Sequence, residues 1–123
     1  MEVIRDSRAA FPAGAYTPAL KFGDFVMISG QGPLDSQGKV QSGSIEEETR
    51  LTLTNVKRLL EAAGATMDQV VKCTCYLADI NDWAVFNKVY AEFFGIVKPC
   101  RTTVQAGLGK IKVEIDAMAY MGK

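Results

Sequence analysis

The chain has 123 residues, of which 48% are hydrophobic and 23% are charged, and this size and composition are typical of one globular domain with a single core. We therefore expect residues 1–123 to form one domain. Lysine plus arginine and aspartate plus glutamate each number 14, so the net charge is zero, which disfavours nucleic acid and anionic membranes as partners.

The amino-terminal segment, residues 1–10, mixes acidic and basic side chains and has no apolar stretch, so we expect no signal or transit peptide. The longest apolar runs, such as Phe25 to Ile28, fall far short of the roughly 20 residues that span a bilayer. We therefore expect a soluble, cytoplasmic protein.

Three cysteines, Cys73, Cys75 and Cys100, are an odd number in a chain without an export signal, which favours reduced thiols. The sequence contains no histidine, and no second cysteine pair completes four metal ligands. We expect buried structural thiols rather than a metal site.

Two short β-prone runs come first, and Gly23-Asp24 between them is a connection typical of a hairpin. The runs are Ala19 to Phe22 and Phe25 to Ser29. Ser44 and Glu47 then stand at capping-box spacing, and apolar residues repeat at helical intervals behind them until Gly64. The sequence therefore predicts a hairpin followed by a long amphipathic helix.

The second half of the chain repeats this alternation of strand and helix. Val70 to Leu77 is typical of a strand, and an aromatic stripe from Trp83 to Phe94 predicts a second helix that ends at Gly95. Thr102 to Ala106 and Ile111 to Tyr120 then predict two final strands. The order ββαβαββ indicates an α+β fold with both helices on one face of a mixed sheet.

The last predicted strand indicates what happens on the other face of the sheet. One side of this strand is apolar throughout, whereas the other is polar at Glu114 and Asp116 and apolar at Met118 and Tyr120. No third helix is available to cover that second side. The pattern favours a partner subunit there, and the alternative is a solvated face with two isolated apolar residues.

The last two predicted strands also hold a candidate pair of charges. A two-residue loop at Gly107-Leu108 would make them a hairpin with Arg101 directly opposite Glu114, and a four-residue loop would place Arg101 opposite Asp116 instead. Either register keeps the guanidinium near a carboxylate on the polar face. The pattern alone is also compatible with an ordinary ion pair worth about 0–1 kcal/mol.

Several segments in order along the chain together resemble the RidA/YjgF family, also named endoribonuclease L-PSP. The strongest matches are Pro99 to Val104 and Lys112 to Ala119, which are similar to the family's carboxyl-terminal signature. Further matches are Ala15 to Pro18, Ile28 to Pro33, Asn55 to Lys57, Ala62 to Gly64, Asp79 to Trp83 and Phe86 to Tyr90. The resemblance covers nearly the whole chain.

The resemblance implies a chorismate-mutase-like fold assembled as a homotrimer, with active clefts between neighbouring subunits. It also implies hydrolytic deamination of small 2-imino and enamino acids, such as 2-aminoacrylate, 2-iminobutanoate and 2-iminopropanoate, to 2-keto acids and ammonia without a cofactor. Arg101 would bind the substrate carboxylate through a bidentate contact. Glu114 would position or activate water and carry a proton.

The motif positions also identify Tyr16, Gly30, Asn87 and Thr103 as substrate-binding residues. Thr103 stands where many members of the family have a reactive cysteine, and the loop of Gly107 to Gly109 is shorter than usual. Both departures bear on substrate range. Two other functions remain open on this evidence: an RNA-cleaving translation inhibitor, which zero net charge and the lack of histidine disfavour, and a non-catalytic metabolite-binding or chaperone-like trimer.

Overall fold

The computed structural model describes residues 1–9 and 12–122, which form six β-strands and two α-helices. Two single-turn 3₁₀ helices, Met67–Gln69 and Ile80–Asp82, precede the fourth strand and the second helix. In chain order the main elements are β1 (Glu2–Ile4), β2 (Ala19–Phe22), β3 (Phe25–Gln31), α1 (Ile45–Ala62), β4 (Val70–Leu77), α2 (Trp83–Glu92), β5 (Cys100–Gln105) and β6 (Val113–Tyr120).

Helix α1 begins and ends where its sequence signals predict. The Ser44 hydroxyl accepts a hydrogen bond from the backbone amide of Glu47 at 3.1 Å, and the Glu47 carboxylate accepts one from the amide of Ser44 at 3.0 Å. These reciprocal bonds satisfy two of the amide groups that every helix leaves free at its start. Gly64 follows the last turn with φ of 84°, a left-handed conformation that glycine adopts readily.

The six strands form one mixed sheet in the order β1-β2-β3-β6-β4-β5. Strands β2 and β3 form the predicted hairpin, with Phe22 paired to Phe25 and Gly23 at φ of 55°. The last strand, β6, lies in the middle of the sheet and pairs antiparallel with both β3 and β4. Strand β5 pairs parallel with β4 at the edge, and α2 connects these two strands.

The α+β class, the mixed sheet and the placement of both helices are confirmed, but two details of the predicted topology are wrong. Strand β1 was not predicted, because three residues give too short a pattern to recognise. Strands β5 and β6 do not form a hairpin, since β4 lies between them. Residues 106–112 connect them across two strand spacings, about 10 Å, which seven residues easily span.

The helices cover one face of the sheet and the core lies beneath them. Alternate residues of β6 point into this core, with Val113, Ile115 and Ala119 fully buried, whereas the intervening residues face away from the helices. This second surface, called the open face below, is apolar at Phe25, 37% exposed, and Tyr120, 38% exposed. The predicted change from polar to apolar along β6 is therefore confirmed.

Within residues 1–9 and 12–122, no helix combines the length and the apolar character needed to cross a bilayer.

Candidate active site

A pocket of about 630 Å³ opens on the open face beside β3 and β6. Its volume lies within the usual range for small-molecule sites. Three of the residues predicted from sequence line it, namely Tyr16, Gly30 and Glu114, and so do Lys72 and Asp116. The pocket therefore combines apolar walls with two carboxylates and one ammonium group.

Gly30 and Glu114 approach each other closely at one end of this pocket. The pairing of β3 with β6 shifts register between Ile28 and Gln31, which marks a bulge around Gly30. A Cβ atom at residue 30 would lie 2.7 Å from Oε2 of Glu114 and 3.0 Å from its carboxyl carbon. Only a residue without a side chain leaves room for the carboxylate in this position.

Burial and charge both act on the Glu114 carboxyl group. Partial removal from water raises the pKa of Glu114, and the negative charge of Asp116, two residues along the same strand, raises this pKa further. None of the ion pairs among the described residues involves Glu114. This carboxyl group is therefore free to exchange a proton with a bound ligand.

Tyr16 closes another part of the pocket. Tyr16 is 45% exposed, and its hydroxyl accepts a hydrogen bond from the backbone amide of Ala13 at 3.2 Å. Ser29, also in the pocket wall, donates from its hydroxyl to the carbonyl of Thr17 at 2.6 Å. This bond ties the segment that carries Tyr16 to the end of β3.

Arg101 lies away from this pocket, among the aromatic side chains of α2. Its guanidinium carbon is 4.7 Å from the ring centre of Tyr90, 5.4 Å from that of Phe86 and 5.5 Å from that of Trp83. These cation–π contacts orient the guanidinium group. No ion pair among residues 1–9 and 12–122 includes Arg101, so its donors have no carboxylate partner in this part of the chain.

The other two predicted site residues lie near Arg101 in the fold. Asn87 is partly buried on α2, one helical turn after Trp83 and one before Tyr90, so it shares their side of the helix. Thr103 follows Arg101 by two residues on β5 and points to the same side of the sheet. Its hydroxyl oxygen is buried and has no partner among the described atoms.

The predicted pairing of Arg101 with Glu114 is therefore wrong. Arg101 pairs with Cys73 on β4, and Glu114 pairs with Tyr76 on that same strand, three residues further along. Because Cys73 is fully buried beneath the helices and side chains alternate along a strand, Arg101 and Glu114 lie on opposite faces of the sheet. The placement of Arg101 on the polar face is wrong for the same reason: Arg101 lies on the helix side of β5, whereas Val104 lies on the open face and is 41% exposed.

Sequence reasoning gave no role to Lys72, although it lies in this pocket. Lys72 donates from its ammonium group to the Thr102 hydroxyl at 2.9 Å, which joins β4 to β5 on the open face. The sequence feature that could have identified Lys72 is its charge within a strand of alternating buried and exposed residues. Among the described residues, no cluster of three or more cysteine, aspartate or glutamate side chains is arranged to hold a metal ion.

The sheet, its two helices on one face and its carboxylate-lined pocket on the other define a class of small α+β proteins. The family profile described as Endoribonuclease L-PSP matches residues 7–121. The chain belongs to this family, also called RidA/YjgF, which confirms the resemblance found in its sequence motifs.

Individual relatives agree over nearly the whole chain. A RutC family protein of Pyrococcus horikoshii is 46% identical over 122 residues, 97% of each chain. The chloroplastic Reactive Intermediate Deaminase A of Arabidopsis thaliana is 36% identical over 123 residues, covering 98% of this chain and 66% of that protein. The crystal structure of Escherichia coli TdcF with bound serine matches with a TM-score of 0.92 at 31% identity, covering 99% of this chain and 100% of that one.

Proposed function

We propose that this chain is the subunit of a homotrimeric enzyme that hydrolyses 2-imino and enamino acids to 2-keto acids and ammonia. The observation that carries the proposal is the Glu114 carboxyl group, which faces a pocket against Gly30 with a pKa raised by burial. A carboxyl group of this kind exchanges protons closer to neutral pH than an ordinary glutamate does. The name of the Arabidopsis relative and the serine bound to TdcF both agree with a small amino-acid-like substrate.

The proposed substrate carboxylate binds to Arg101. Its guanidinium group lies against three aromatic rings and has no carboxylate partner among the described residues. A planar guanidinium forms two parallel hydrogen bonds with a carboxylate, which fixes both position and orientation. Asn87 and Thr103, which lie near Arg101 in the fold, supply further polar groups on this side of the substrate.

Glu114 acts on the imine carbon in this mechanism. Water attacks the protonated imine and transfers a proton to the Glu114 carboxylate, which gives a neutral carbinolamine. The proton then moves from Glu114 to the amino nitrogen and the C–N bond breaks. The hydroxyl proton passes to the Glu114 carboxylate as the keto group forms and then leaves with the ammonia, so protonated imine and water become keto acid and ammonium. An enamine substrate first takes a proton from solvent on its terminal carbon and so becomes the same protonated imine.

The two halves of this site come together only between subunits. Arg101 and Glu114 lie on opposite faces of one sheet, so a single copy does not present both to one small substrate. The open face also exposes Phe25 and Tyr120, whose ring centres are 5.1 Å apart, and Met27, which is 45% exposed. Apolar area of this kind favours a second copy of the chain as its cover.

A direct assay tests the reaction. We expect the purified protein to release ammonia and pyruvate from freshly generated 2-aminoacrylate faster than buffer does, and Glu114→Gln to lose most of this activity. Light scattering should give a mass of about 40 kDa, three times the 13.4 kDa of the chain. Binding of pyruvate without turnover would instead favour a non-catalytic binding protein, and a monomer would contradict the shared site.

A further inference from the structure

Helix α1 buries polar side chains on the side that packs against the sheet. Glu48 and Asn55 are 1% and 0% exposed, although both lie within the stripe that also contains Leu59 and Leu60. Burying such groups is unfavourable unless hydrogen bonds compensate. Their partners include backbone groups of the two segments that carry Gly30 and Glu114.

Asn55 holds the segment that follows Gly30. Its amide nitrogen donates to the carbonyl of Gly32 and to the carbonyl of Leu34, both at 3.0 Å. An asparagine side chain has two N–H donors, and both are used here. Gly32 itself is pressed against the residues before β6, since a Cβ atom there would lie 3.1 Å from Cδ1 of Ile111.

Glu48 holds the segment that precedes Glu114. One carboxylate oxygen accepts from the backbone amide of Lys112 at 2.8 Å. The other accepts from the amide of Gly43 at 3.2 Å and from the Lys112 ammonium group at 3.1 Å. The Lys112 backbone is thereby fixed two residues before Glu114, on the helix side of the sheet.

We propose that Asn55 is a positioning residue: from the helix side of the sheet it fixes the Gly30 segment against the Glu114 carboxylate. Glu48 fixes the segment that carries Glu114 from the same side. The role of Asn55 in catalysis rests on the proposed deaminase function. Its role in the geometry does not, because the contact between Gly30 and Glu114 exists in the subunit itself.

In this arrangement the position of the Gly30 segment determines how much water reaches the Glu114 carboxyl group. A Cβ atom at residue 30 would lie 2.7 Å from Oε2 of Glu114, so the Gly30 segment stands directly beside that oxygen and limits the space open to water there. Loss of both Asn55 hydrogen bonds frees the Gly32 carbonyl and lets the segment move outward. Water then reaches Glu114, and the part of its pKa elevation that comes from burial is lost.

Other charged and titratable groups face Glu114 and stay in place when Asn55 is changed. Asp116 lies on the same strand, Lys72 and Tyr76 lie on β4, and Tyr16 lies in the segment before β2. A neutral substitution at Asn55 alters none of these charges. A change in the titration of Glu114 then reports the position of the Gly30 segment.

The experiment compares Asn55→Ala with Thr54→Ala, a matched change one position away, where the hydroxyl donates only to the Arg50 carbonyl of its own helix at 2.7 Å. The carboxyl carbon of Glu114 is titrated by NMR in both variants and in the parent protein. We expect the pKa of Glu114 to fall by about half a pH unit or more in Asn55→Ala. We expect no change in Thr54→Ala.

Activity gives a second readout. In Asn55→Ala we expect kcat to fall about tenfold with a smaller change in KM, and the acid limb of the pH profile to move to lower pH. If Asn55→Ala does not fold, Asn55→Ser, which retains one hydroxyl donor, takes its place. An unchanged Glu114 titration in a folded Asn55 variant would overturn the proposal. A parent protein that titrates as expected but releases no ammonia would contradict the deaminase function alone.

Discussion

The carboxylate of Glu114 occupies the space in which residue 30 would carry a side chain, with 2.7 Å between Oε2 and a Cβ atom built on Gly30. Gly30 is not among the glycines with positive φ, so alanine fits the backbone and its methyl group acts only by contact. We expect Gly30→Ala to displace the carboxylate and to lower kcat/KM about a hundredfold, because small misplacements of a reacting group have large effects.

A double variant tests whether this contact is the cause. If the methyl group acts through Glu114, adding Gly30→Ala to Glu114→Ala should lower activity little further, since the displaced group is already absent. Steady-state rates of the three variants on 2-aminoacrylate give the comparison. If Gly30→Ala lowers the rate by the same factor in the parent and in Glu114→Ala, then Gly30 acts by another route.

Arg101→Lys should abolish most activity while the protein stays folded. Lysine keeps the positive charge but lacks the planar group that lies over Tyr90 and would hold a carboxylate by two bonds. We expect kcat/KM to fall about a hundredfold, or about 3 kcal/mol. Arg50→Lys is the matched control, because Arg50 forms an exposed ion pair with Glu92 at 2.8 Å on the helix side.

Melting temperature and mass should be measured on the same samples as the rates. Arg50→Lys should retain parental turnover, since exposed ion pairs contribute about 0–1 kcal/mol to stability. Near-normal turnover in Arg101→Lys would remove Arg101 from the mechanism.

Glu114→Gln should make the protein more stable at neutral pH and much less active. Burial and the Asp116 charge raise the pKa of Glu114, so the folded protein binds this proton more tightly than the unfolded chain. The resulting stability is present below the unfolded pKa and is lost as pH rises through the folded pKa. We therefore expect a higher Tm than the parent at pH 7, a difference that disappears near pH 3, and a loss of activity of about a hundredfold or more.

Thermal melts of both proteins across this pH range, together with the ammonia assay at pH 7, provide the measurement. A parent protein more stable than Glu114→Gln at pH 7 would show that the carboxylate is stabilised by a partner. The role of Glu114 as a free proton carrier would then be wrong.

The three thiols should differ in reactivity. Cys73 and Cys75 are fully buried, and burial raises the pKa of Cys73 to about 11. Only about one thiol in a thousand is then ionised at pH 8. Cys100 is exposed on the subunit, which corrects the expectation that all three thiols are buried. Iodoacetamide should therefore modify at most one cysteine per native chain, and mass mapping should assign it to Cys100.

Denatured protein serves as the control, where all three cysteines should react. Modification of Cys73 under native conditions would show that α2 opens from the sheet.

Local signals in the sequence account for much of the fold. The capping box at Ser44 and the helical repeat behind it fix α1, because each depends on residues within four positions of each other. The ends of β4 at Val70 and Leu77 agree with prediction as well. The order of strands in the sheet could not be predicted from local signals, because it depends on which strands distant in sequence pair with each other. Alternation along Arg101, Thr102 and Thr103 is polar on both sides, so it does not specify the register.

For the candidate site, too, local features were predicted correctly and features that depend on strand order were not. Motif positions identified Tyr16, Gly30 and Glu114, which the structure brings to one pocket, because short segments conserve local geometry. The position of Arg101 relative to that pocket depended on the sheet order and was predicted wrongly. Asn55 was part of a recognised motif, but its partners at Gly32 and Leu34 are more than 20 residues away in sequence, so no local pattern indicated its role.

The central position of β6 constrains how a newly made chain folds. Strands β1 to β3 and strands β4 to β5 share no direct pairing, and β6 alone joins them. While the ribosome is still translating the segment before Val113, each half of the sheet has an unpaired edge in the place that β6 later fills. Such edges readily pair with other chains. Nascent chains stalled before β6 should consequently be a point of aggregation and of chaperone engagement.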